Sequence, residues 1–112
     1  MEIVNLKDGI LETRYYPEKI YSGFITATGT GGNNKLPLGW SVIKPMEGRY
    51  KIVHNLDLGS NKDLRVTATL FGNPPDADKI YVKNVTPNLF IIETASKNKL
   101  TSSAFFFTAI LI

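Results

Sequence analysis

The chain has 112 residues, enough for one domain built around one hydrophobic core. Hydrophobic residues make up 43% of it, which argues for a globule and against disorder. It has no Cys, which excludes disulfides and thiolate metal centres, and its net charge of +3 comes from Lys and Arg scattered singly among carboxylates, which argues against a nucleic-acid partner.

Neither end reads as a membrane or export segment. Met1 to Asp8 lacks the basic start and apolar core of a signal peptide, and the apolar C-terminal stretch falls short of the roughly 20 residues a spanning helix needs. No stretch sustains a helical period, and turn signals recur about every 8–12 residues, as in sandwiches and barrels. The expected fold is all-β: an antiparallel, jelly-roll-like β-sandwich of about eight strands. Residues 1–17 are expected to be an N-terminal docking arm or first strand, with a single sandwich domain over 18–112.

In chain order, Gly9 to Tyr16 is a predicted strand ended by Pro17, and Lys19 to Thr28 a second, with Gly23 suggesting a bulge. Gly29 to Lys35 is a flexible loop. Trp40 to Lys44 and Arg49 to Leu56 form a predicted hairpin around Pro45-Met46-Glu47-Gly48, because Pro45 cannot donate to a central ladder and Gly48 suits a turn. Trp40, Val42, Tyr50, Ile52, His54 and Leu56 fall on one face of it; Ser41, Lys51 and Asn55 share the other with Ile43 and Val53. Leu64 to Phe71 alternates Leu64, Val66, Ala68 and Leu70 against Arg65, Thr67, Thr69 and Phe71. After the loop Gly72-Asn73-Pro74-Pro75-Asp76, Ile80 to Val85 and Leu89 to Ala95 form a second hairpin with Ile80, Val82, Phe90 and Ile92 facing in.

The polar run Ser96 to Lys99 then bounds the closing strand, Ser102 to Ile112. Period-two alternation puts Phe105, Phe107, Ala109 and Leu111 on one face and Phe106, Ile110 and Ile112 on the other, so both faces are apolar.

This order of features resembles the small β-sandwich domains of bacteriophage head and tail fibres. The resemblance rests on Gly39-Trp40-Ser41-Val42, Gly48-Arg49-Tyr50-Lys51-Ile52, the Leu64 to Leu70 strand, Phe90-Ile91-Ile92-Glu93-Thr94 and a final Ala104-Phe105-Phe106-Phe107, over roughly residues 22 to 112. The chain departs from that pattern at His54, where such domains carry an aromatic or aliphatic residue, and in lacking a shaft. The resemblance implies a virion structural or receptor-binding module, usually a homotrimer. The size fits a capsid decoration protein, short head fibre or assembly component, with residues 1–17 as an arm reaching other virion proteins.

Enzymatic chemistry is not expected. His54 is the single histidine, and in its strand it follows Tyr50 and Ile52 on the core face, which suits a packed residue better than a general base. Asp76 and Asp78 offer too few oxygens for Ca²⁺, and Gly29 to Gly32 lacks the helix and Lys-Ser/Thr pair of a phosphate cradle, so no metal or cofactor is expected. The rival reading is a carbohydrate- or receptor-binding module that meets a cell-surface glycan through Asn33, Asn34, Asn73, Asp76 and Tyr81. The favoured one is a homo-oligomer, trimeric by the resemblance, whose interface holds Phe71, Phe106, Ile110 and Ile112. Apolar side chains this numerous outside the core normally mark an interface.

Overall fold

The computed structural model describes residues 19–112 in full and, before them, the backbone of the strands β1 (Glu2–Lys7) and β2 (Ile10–Tyr15). β1 and β2 pair antiparallel with each other and belong to neither sheet of the sandwich. The predicted stop at Pro17 lies outside the described residues. β3 (Lys19–Ile25), β10 (Phe105–Leu111) and β6 (Leu64–Leu70) form one antiparallel sheet in the order β3-β10-β6. β4 (Ser41–Met46), β5 (Arg49–Val53), β8 (Leu89–Ser96) and β7 (Lys79–Lys83) form the second, with β9 (Lys99–Leu100) paired to the end of β8. The described residues are all-β, without a helix, and the two antiparallel sheets pack as a β-sandwich.

The core lies between the sheets. Ile25, Leu64, Phe105, Phe107 and Ala109 from one meet Tyr50, Ile52, Phe90 and Ile92 from the other. Trp40, just before β4, ties them together. It stacks on Phe107 at 5.8 Å and 9°, and lies 4.9 Å from Tyr21, 5.4 Å from His54 and 6.1 Å from Phe90. The inward faces predicted from alternation in β5, β6, β8 and β10 are the ones observed.

Three local predictions are corrected. Gly23 makes no bulge, since β3 pairs with β10 in unbroken register from Lys19 to Ile25. It stands where the Phe107 ring crosses the strand, and a Cβ there would lie 2.4 Å from Phe107 Cε1. Pro45 and Met46, predicted in the hairpin turn, lie in the edge strand β4, and the turn itself is Glu47-Gly48. The register of β4 shifts between Ile43 and Met46 because Pro45 has no N–H for the ladder. The polar run before the closing strand is a tight hairpin turn. Lys97 and Asn98 both take positive φ, 52° and 64°, as a two-residue type I′ connection requires, and so generate β9.

Candidate functional site

The central strand β10 has its inner face in the core, so its outer face is the surface that needs explaining. Register puts Phe106 beside Phe24 of β3 and Thr69 of β6. Two residues along, Thr108 lies between Ser22 and Thr67, and two further, Ile110 lies between Ile20 and Arg65. All nine side chains point away from the core because the period is two.

Phe71 completes the first row. Its N–H donates to the Ala104 carbonyl at 2.9 Å, which carries the β6–β10 pairing one residue past β6. The Phe24, Phe71 and Phe106 rings are then in mutual contact. Phe71 meets the other two edge-on with centroids 5.2 Å apart, and Phe24 lies 4.9 Å from Phe106. Edge-on contacts suit the ring quadrupoles. They leave Phe71 50% and Phe106 46% exposed. The face thus has an aromatic island, a hydroxyl row of Ser22, Thr108 and Thr67, and a second apolar island of Ile20 and Ile110.

Of the four predicted interface residues, Phe71 and Phe106 are in the aromatic island and Ile110 is in the second. Ile112 sits past the end of β10, where it exchanges two backbone hydrogen bonds with Asp63 at 2.8 and 3.1 Å, and is half-buried. Phe24 and Ile20 escaped the sequence reading. The signal was their shared parity with Ser22, lost once Gly23 was read as a bulge. Ile43 and Val53 face outward too, but from the other sheet.

No protein-family model, curated protein or solved structure matches this chain.

The five candidate glycan residues do not share one surface. Asn33 and Asn34 lie in the loop after β3, and Asn73 and Asp76 in the loop after β6, at the end of the sheet that carries Phe105. β3 and β6 flank β10, so the two pairs sit in loops that leave opposite edges of the sheet. Asn34 has a structural duty: its Oδ1 accepts from the Thr26 N–H at 2.8 Å and the Thr26 hydroxyl at 3.0 Å. This clamp, with the Phe24–Lys35 bridge, holds the predicted flexible loop. Tyr81 is on the outer face of the other sheet, with Lys83 Nζ 5.8 Å from its ring.

His54 is buried among Trp40 and Phe90. Its Nδ1 accepts the Leu56 N–H at 3.1 Å, which places the proton on Nε2. Nε2 is turned toward the Thr86 backbone without making a hydrogen bond of ordinary geometry, and burial holds the imidazole pKa below its usual range. Among the described residues no three of His, Asp and Glu gather as metal ligands.

The outer face of the second sheet has a different character. Arg49, Lys51, Lys79 and Lys83 project from it with one carboxylate, Glu93. Glu93 is buried between two of them: Oε2 accepts from Arg49 Nε at 2.6 Å, and Oε1 lies 2.7 Å from Lys83 Nζ. The Lys83 bond first, and the Arg49 bond with it, outweigh desolvation and hold the Glu93 carboxyl below the usual range.

Proposed function

We propose that this chain is a non-enzymatic virion structural protein, a capsid decoration, head-fibre or tail-fibre component, that assembles as a homo-oligomer through the outer face of the β3-β10-β6 sheet. The observation that carries the assembly reading is the Phe24–Phe71–Phe106 island, where rings packed on one another still leave about half of Phe71 and Phe106 in water. The opposite face favours the same choice. Four cations against one doubly paired carboxylate would repel a like face, so copies meet through the aromatic side. The trimer, the virion and the docking role of residues 1–17 on other virion proteins come from the fibre-domain resemblance.

Phe106→Asp tests the interface. Its side chain lies outside the core, so the expected product is a folded chain with wild-type circular dichroism and a lower mass by light scattering than the wild-type assembly. A variant that assembles like wild type would remove the face from the account. The alternative, a carbohydrate-binding module, draws on exposed Asn33, Asn73 and Asp76 in the loops that follow β3 and β6. A glycan array in which binding is lost in Asn33→Ala and Asn73→Ala, with assembly unchanged, would favour it.

A further inference from the structure

Among the described residues, the outer edge of β3 over Ile20 to Ser22 is an unfilled strand position. Phe24 and Lys35 exchange two backbone hydrogen bonds of 2.8 Å, so the Phe24 amide and carbonyl point away from β10. Direction alternates along an antiparallel ladder, so Ile20 and Ser22 aim their amides and carbonyls the same way. Leu36, Pro37 and Leu38 form the opposite wall there, across a groove of about 520 Å³ alongside Lys19 to Ser22. Both edges of the other sheet are blunted: β4 by Pro45 and its register shift, β7 by its five-residue length with Lys79 and Lys83. Over Ile20 to Ser22, no strand among the described residues pairs with β3 on that side.

The same chain holds a ribbon in need of a third strand. β1 and β2 pair with each other alone among the described residues, and a two-stranded ribbon is marginal by itself. Residues 16–18 join β2 to β3 in sequence, yet among the described residues β2 makes no ladder with β3 of its own chain. Exchange of an element between copies is a low-cost way to supply one. We propose that the β1–β2 hairpin of one copy adds along the β3 edge of a second copy, with main-chain hydrogen bonds to Ile20 and Ser22. The result is a continuous β1-β2-β3-β10-β6 sheet shared by two chains. This site is an edge and does not depend on the aromatic face.

Amide hydrogen exchange of the full chain, dilute and concentrated, tests it. The Ile20 and Ser22 amides should exchange about tenfold more slowly in the concentrated sample. Replacing both Glu12 and Thr13 by Pro, which removes one amide from each edge of β2, should abolish that difference. Ser22→Pro, which costs β10 no bond, should abolish it at Ile20. Phe106→Asp should leave it intact, and this separates failure of the edge from failure of the face. Exchange rates independent of concentration would overturn the proposal. So would protection that survives both prolines in β2, or protection lost in Phe106→Asp and kept in Ser22→Pro.

Discussion

Gly23 shows how one missing side chain sets a packing arrangement. Phe107 is buried under β3, and both its ring and the Lys35 carbonyl occupy the space a Cβ would need, at 2.4 and 2.8 Å. Gly23→Ala should therefore cost about 1–3 kcal/mol in urea denaturation, the range for overpacking. Adding Phe107→Leu should recover part of the loss, so the double variant is less damaged than the two singles summed. An unchanged midpoint for Gly23→Ala would mean that the strand gives way. His54 is the residue-scale opposite, a polar group kept in the core. Its folded-state pKa lies below the ordinary value of about 6.5, so the unfolded chain binds the proton more readily. The stability its neutral form allows is whole above that pH and is lost as pH falls through it toward the lowered value. Urea midpoints at pH 7 and pH 5 should differ more for wild type than for His54→Phe, and equal differences would refute this.

At the scale of elements, the strands whose side chains alternate cleanly were legible in the sequence. β6 reads Leu-Arg-Val-Thr-Ala-Thr-Leu, and β10 puts Phe105, Phe107 and Ala109 on one side, so period two alone assigns the inner faces. What stayed hidden depended on partners. Nothing in Lys97-Asn98 without its pairing strand distinguishes a hairpin turn from a boundary, and β1 had no alternation to separate it from an arm. Phe24 joins Phe71 and Phe106 only through the registers of β3 and β6 on β10. Glu93 is the sharpest case: a carboxylate at an outward position reads as solvated, yet β5 and β7 bring a cation from each side and bury it. Changing Arg49 and Lys83 together to Met should strand that charge and cost about 3–5 kcal/mol, with Glu93→Met restoring much of it. Urea denaturation of the double and triple variants checks this, and a double variant as stable as wild type would count against the ion triad.

The whole molecule has two unlike outer faces. One bears the aromatic island, a hydroxyl row and the Ile20–Ile110 pair; the other bears Arg49, Lys51, Lys79 and Lys83 around a neutralised Glu93. Burying the exposed halves of Phe71 and Phe106 is worth roughly 1 kcal/mol each, from about 1.5–3 kcal/mol for a whole large side chain. A gain of that size per subunit makes association depend on concentration, so a single dilute sample is a poor judge of it. Sedimentation equilibrium of the wild-type chain, from dilute to concentrated, tests the central claim most directly. The account predicts a reversible rise from 12.4 kDa toward three times that mass. A folded chain that stays at 12.4 kDa throughout, its Phe71 and Phe106 rings bare to solvent, would contradict it.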